Sequence, residues 1–482
     1  MSYYNDLPDS EKEKLQIVDV PIKDFLIEIV NTIYKEGYNE DKSELFLEIE
    51  NKVFTENINF SADFPYHVEF KNCYFQRHVS FYKTAISSLL IKDCFFDKEI
   101  AIGPGVVFKE EFYIINLSTK DAFNVSAGKY SKCKWSFATN SDLNISGGEY
   151  DDLTIGFYEQ AKFKTVSIDF RNIKGHINIC GHQTQIQSLL LSNFAPDVSV
   201  NIEDISVNRL LIHRFKNEKG FRINNIKTLN HNEQTEFSIY SSSLGKAELY
   251  SINFKSFKHF YILDSQLTDC SFVNVDWNFN IKAFKGSNVG KTEEEKLLFE
   301  KIKLIENNNF NESDEIEELR EDDEVKEYYR KLRENYRQLK FAVGKQGDTI
   351  NEQKFHSREM MTYNKSITIE EHFGTKMIVN LSYWFSDFGQ SLGRPLIALI
   401  IGHWLLLILL IHFEGIPNLT ISVFNGNIEG FKIAFINYFK LINPLRRMDE
   451  VKDCTVIIEI FMRIWSSYMI YNIIRATRRF IK

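Results

Sequence analysis

The sequence predicts a mainly β N-terminal domain, a right-handed parallel β-helix, followed by an α-helical neck and a two-span α-helical membrane module. Three observations carry this. Short alternating apolar runs recur every 20 to 24 residues through the first two-thirds of the chain. A narrow apolar stripe at helical spacing follows them. Near the C-terminus, Pro395 to Phe413 (PLIALIIGHWLLLILLIHF) runs nineteen residues without a formal charge.

Composition supports an ordered protein. Aromatic residues make up 14% of the 482, with 41 Phe and 22 Tyr against only 8 Pro. The net charge of −8 is concentrated: residues 306–324 carry ten acids against Arg320 alone, so the remainder is close to neutral. That balance does not suggest nucleic acid as a partner. The start, MSYYNDLPDSEKEK, has neither a basic n-region nor an apolar h-region, so no signal peptide is expected. Cys73, Cys94, Cys133, Cys180, Cys270 and Cys454 form no CxxC motif and read as free thiols.

Residues 1–60 read as an N-terminal helical cap. After Pro21, apolar residues at 22, 25, 26, 29, 30 and 33 make a helical face that Gly37 ends. The repeat domain is then expected over 61–285. VEFKNCYFQRHVSF (68–81) aligns at an offset of 21 with LLIKDCFFDKEIAI (89–102), setting Cys73 on Cys94, Phe75 on Phe96 and Val79 on Ile100. FNVSAGKYSKCKWSF (123–137) aligns at an offset of 20 with LNISGGEYDDLTIGF (143–157). Looser echoes stand at 177, 198, 221 and 237. No unit could bury its own apolar face, whereas stacked coils share one. Leucine-rich repeats have a similar period, but their LxxLxL spacing is missing.

The inward positions are Phe, Ile, Leu, Val and Cys, which predicts a packed interior rather than a pocket, with Cys73 and Cys94 stacked in the core. Asp151-Asp152 and Glu203-Asp204 do not recur at a common phase, so no catalytic constellation, cofactor or metal site is expected, and the chain does not read as an enzyme. A flat solenoid face can bind a protein or a glycan, and which face and which ligand stay open.

Residues 286–324 read as an acidic linker and 325–392 as a helical neck. Tyr328, Leu332, Tyr336, Leu339 and Val343 form one apolar stripe. Gly347 and Asp348 punctuate an antiparallel helical hairpin. His356 and Glu359 lack a third ligand in register and are expected on the surface.

From YRQLKFAVGKQGDTINEQKFHSREM through FSDFGQSLGRPL to the apolar span, the chain resembles a group of bacterial membrane proteins. These carry pentapeptide-repeat or related β-helical N-terminal domains and end in a two-helix module similar to a potassium-channel pore. The resemblance covers about residues 328–482; upstream only the architecture is shared. It implies a homo-oligomer, a tetramer if the module is channel-like.

The membrane module is expected over 393–482. A span needs about 20 apolar residues to cross about 30 Å of hydrocarbon, and 395–413 meets that. Arg394 would mark its edge, with Tyr383 and Trp384 at the headgroups and His403 facing protein or water. Residues 428–444 suit a re-entrant or interfacial helix. A second span is expected over 454–474, containing Glu459 and Arg463 one helical turn apart, where they can pair. A selectivity filter of the TVGYG kind is absent: KLINPLRRMDE stands in its place, where Arg446 and Arg447 would favour anions or lipid phosphate. Basic residues divide almost evenly between the two sides. The unsignalled N-terminal domain therefore sets the expected topology in the inner membrane, with both ends cytoplasmic and the inter-span loop outside.

Two functions follow as expectations. One is an ion-channel-like pore or membrane effector controlled by a cytoplasmic β-helix sensor, suited by architecture to bacterial stress response or anti-phage defence. The other is a membrane-anchored interaction protein without conductance. The candidate pore or subunit-contact residues are Glu459, Arg463, His403, Arg446 and Arg447.

Overall fold

The computed structural model divides into two units, Met1–Lys291 and Thr292–Lys482. It describes residues 7–35, 45–61, 63–139, 142–157, 161–195, 197–229, 235–284, 293–307, 314–413, 439, 442–445 and 456–478.

The first unit is a parallel β-solenoid of about ten turns. One inward position can be followed through it. Ile49, Phe70, Ile91, Ile114, Trp135, Ile155, Ile179, Ile202, Ile223, Leu249 and Phe272 each sit in register on the next. All but the last are buried. Each coil presents an apolar side chain at the same phase because strands alternate inward and outward with period two. The repeat expected at offset 21 is the true register, with Val68 on Leu89, Phe75 on Phe96 and Val79 on Ile100. So is the one at offset 20, which sets Phe123 on Leu143 and Cys133 on Leu153. The echoes at 177, 198 and 221 stack as Ile177, Val200 and Phe221. The echo at 237 belongs to another strand row, where Phe237 lies on Leu210, 27 residues back.

Two residues beyond that inward position the chain turns. Asn51, Asn72, Asp93 and Asn116 occupy the turn in successive coils with φ between +50° and +57°, and Asp204, Asn225, Ser251 and Asn274 do so further on. Asn and Asp tolerate this left-handed backbone because their short polar side chains bond locally. Here they also bond between coils. The Asn72 amide donates to Asn51 Oδ1 at 2.7 Å, Asn116 to Asp93 at 2.6 Å, and Asn225 to Asp204 at 2.6 Å. In the middle coils Phe137 and Phe157 take the position, and the strands run on through it.

Aromatic rings fill the interior. Phe54, Phe75 and Phe96 stack with centroids 4.9 and 4.4 Å apart, Phe60 on Phe81 at 4.5 Å, and Tyr130 on Tyr150 at 4.7 Å. Burying each such ring stabilises the fold by about 1.5–3 kcal/mol relative to exposure. Cys73 and Cys94 are fully buried. Each thiol donates one coil back, to the Ile49 carbonyl at 3.3 Å and the Phe70 carbonyl at 3.4 Å. Burial raises the Cys94, Cys133 and Cys270 thiols, Cys270 to about 12, which favours the protonated form.

The boundary at residue 60 needs correction. The helix Ile22–Lys35 is present and buries Ile22 and Leu26, with Phe25 edge-on to Phe54 at 6.0 Å. However, Phe46–Glu50, Lys52–Phe54 and Ile58–Phe60 already form a solenoid coil, and Gln16–Val18 pairs with Lys52–Phe54. The solenoid therefore begins before residue 61. Its first coil stacks on the next at the same offset of 21, with Ile49 on Phe70, Val53 on Tyr74 and Ile58 on Val79.

The second unit is helical. The expected linker 286–324 contains helices Glu293–Asn307 and Asp314–Glu321, which bury Ile302, Ile305 and Ile316. The neck helix Asp323–Lys345 starts at Asp322, whose carboxylate accepts from the Glu324 and Val325 amides. Its stripe Tyr328, Leu332, Tyr336, Leu339, Val343 is buried throughout. Gly347 turns the chain at φ +77°, and Asp348 caps Thr349–Ser366 by accepting from the Asn351 amide. Glu359 is buried rather than on the surface. It accepts from Lys340 Nζ at 2.6 Å across the hairpin, with His356 Nδ1 at 3.7 Å. Helices Ile369–Ser386, Gly393–His412 and Val456–Arg478 complete the unit. Gly393–Leu410 is long and apolar enough to cross a membrane; among the described residues no other helix is, by length and composition.

Candidate functional site

Gly393–His412 and Val456–Arg478 pack as an antiparallel pair, and the candidate site is the seam between them. Three contacts set the register. The backbone of Gly389, just before the first helix, lies against the Arg475 side chain. The Trp465 indole donates to the Ala398 carbonyl at 3.2 Å. Leu410 and Met462 bury each other, with Leu406, Leu407 and Ile458 around them. Gly402 makes this approach possible: a Cβ there would lie 2.4 Å from the Trp465 indole nitrogen. A carbonyl in mid-helix already bonds within its helix, so the indole uses its second lone pair.

The polarity of the pair is inverted. Val456–Arg478 exposes Ile457, Ile460, Phe461, Ile464, Tyr471 and Ile474, while it buries Glu459, Ser466 and Asn472. Gly393–His412 exposes Ile397, Ile401, Trp404, Leu405 and Ile408 and buries His403 completely. A helix in water places these residue types the other way round. The outward Ile, Phe and Trp side chains of both helices call for an apolar neighbour rather than water.

Of the expected site residues, the structure joins Glu459 and Arg463. Arg463 Nη2 donates to Glu459 Oε1 at 2.9 Å, the carboxylate side chain being 1% exposed and the guanidinium side chain 23%. His403, on the facing helix, is also fully buried. Arg446 and Arg447 lie outside the described residues, as does nearly all of the re-entrant segment 428–444.

Several residues of the seam carry no motif that sequence reading would select. Gly402 is one small residue inside an apolar run, and its role depends on Trp465 some sixty positions away. Ser466 and Asn472 become significant only because they are buried. Lys376, in the preceding helix, is buried at 2% exposure although its neighbours Met377 and Ile378 face outward. Among the described residues no group of three His, Cys, Asp or Glu side chains is placed to hold a metal ion.

No family model, curated protein or solved structure matches the chain.

Proposed function

We propose that this chain is a membrane-embedded effector in which the solenoid is a cytoplasmic sensing domain and the two inverted helices form a channel-like module. The observation that carries the reading is the inverted polarity of the helix pair, with Glu459, paired to Arg463, and His403 buried beneath an apolar exterior. An ion pair in hydrocarbon is costly, on the order of 2.5–3.5 kcal/mol for each charge at a helix centre, and a plain tether has no need of one. In this reading Val456–Arg478 is the second span, several copies surround a path, and the neck hairpin transmits the state of the solenoid. The right-handed, pentapeptide-repeat-like character of the coils, the cytoplasmic placement of both ends and a role in bacterial stress response or defence belong to the same proposal.

A membrane-anchored interaction protein is the second reading, and the burial of Glu459 within a single chain favours it. A carboxylate already enclosed by its own two helices serves as glue without lining anything. Purified full-length protein in planar bilayers separates the two. Discrete conductance steps support the pore, and an inserted protein that leaves the bilayer silent supports the anchor.

A further inference from the structure

We propose that the helix Ile369–Ser386 is a membrane-surface helix, seated in the headgroup and acyl boundary of the bilayer beside the start of the apolar helix. The proposal rests on the membrane reading above and names the lipid surface it requires.

Four large apolar side chains of this helix face outward: Phe373 at 66% exposure, Ile378 at 64%, Trp384 at 61% and Met377 at 49%. Phe373, Met377 and Trp384 fall at i, i+4 and i+11, one stripe of the helix. The other side is packed, with Lys376, Val379 and Ser386 buried, and at the edge of the stripe Asn380 accepts a hydrogen bond from Asn364 of the neck at 2.8 Å. From 372 to 386 the only formal charge is Lys376, and it is turned away from the exposed stripe. A helix that buries its lysine and presents Phe, Ile and Trp is matched to an apolar neighbour rather than to water.

Continuity identifies that neighbour as lipid. The apolar helix begins seven residues after Ser386, and its exposed Ile and Leu side chains extend the same kind of surface. Arg394 joins the two: its guanidinium lies 5.5 Å from the Tyr383 ring centroid, and Nη1 donates to the Tyr383 carbonyl at 3.3 Å. An exposed Arg against Tyr and Trp at the mouth of a span is a headgroup-level arrangement. The stripe from Phe373 to Trp384 is about 16 Å long, roughly half the hydrocarbon thickness, so it suits seating rather than crossing.

The test uses full-length protein carrying Cys180→Ser and Cys454→Ser, reconstituted in phosphatidylcholine vesicles with a minority of phosphatidylglycerol. Nitroxide labels are placed singly through Phe373→Cys, Met377→Cys and Trp384→Cys, with Ile401→Cys as the control on the span. Collision with oxygen and with a water-soluble nickel chelate gives the depth of each label. The proposal expects all three to favour oxygen, about 5–10 Å into the boundary, with the control deeper. Labels open to nickel beside a deep control would overturn the surface helix and leave the membrane reading standing. Labels shielded from both reagents would overturn it in favour of a second copy covering the face. A control open to nickel would remove the membrane reading and this inference with it.

Discussion

Adjacent residues Phe95 and Phe96 offer a sharp test of the solenoid register. Phe96 points inward, is 1% exposed and stacks on Phe75 at 4.4 Å. Phe95 points outward and is half-buried, stacking on Tyr74 at 4.9 Å. Truncating a fully buried Phe to Ala costs about 3–5 kcal/mol, transfer and cavity together. Losing an outward stacked ring costs about 0.5–1.5 kcal/mol beyond a modest area term. Phe96→Ala should therefore lower the urea midpoint of residues 1–291 several times more than Phe95→Ala, at a similar slope. Phe96→Asp, which places an unpaired charge among stacked rings, should prevent that coil from forming. A one-residue slip exchanges every inward side chain for an outward one. Equal costs, or a larger cost at Phe95, would show the register to be wrong.

Two further predictions concern the helical unit. Burial acts to raise the Glu359 pKa, but the nearby His356 ring and the Lys340 ammonium, which donates to it, outweigh burial and hold the carboxyl at about 2. A lowered folded-state pKa stabilises fully above the unfolded value and loses that contribution as pH falls through the folded one. Neck amides should therefore lose exchange protection as pH falls from about 4.5 to about 2, and Glu359→Gln should abolish that dependence; an unchanged profile in Glu359→Gln would refute the pairing. Gly402→Val forces a side chain into the Trp465 indole, so the full-length protein in detergent should melt at a markedly lower temperature. Trp465→Ala in the same chain should restore part of the loss, and the absence of any recovery would argue against the Gly402–Trp465 contact.

The solenoid was legible because one coil equals one repeat: where 68–81 and 89–102 align at 21, the aligned residues are the stacked residues. The reading weakened where turns vary in length. The echo at 237 lies only 16 residues after the one at 221 and belongs to a different strand of the coil, stacked on Leu210, while the row of Ile223 continues at Leu249. Residues 286–324 looked like linker because acids dominate them, yet Ile302, Ile305 and Ile316 suffice for short packed helices. The hairpin signals at Gly347 and Asp348 are local and carried over directly, whereas the burial of Glu359 depends on Lys340 in the facing helix. In the candidate site the Glu459–Arg463 pair follows from i,i+4 geometry alone. The role of Gly402 and the inward turn of Lys376 are tertiary facts that neither spacing nor composition contains.

The most direct measurement of the central claim is the reversal potential of two single variants in a salt gradient across a planar bilayer. If Glu459 and Arg463 line a path, Glu459→Gln leaves an uncompensated guanidinium and should shift selectivity toward anions. Arg463→Gln leaves the carboxylate and should shift it toward cations, so the two potentials should move in opposite directions from that of the unmodified protein. Identical reversal potentials for both variants would contradict the pore and leave the helix pair as an anchor.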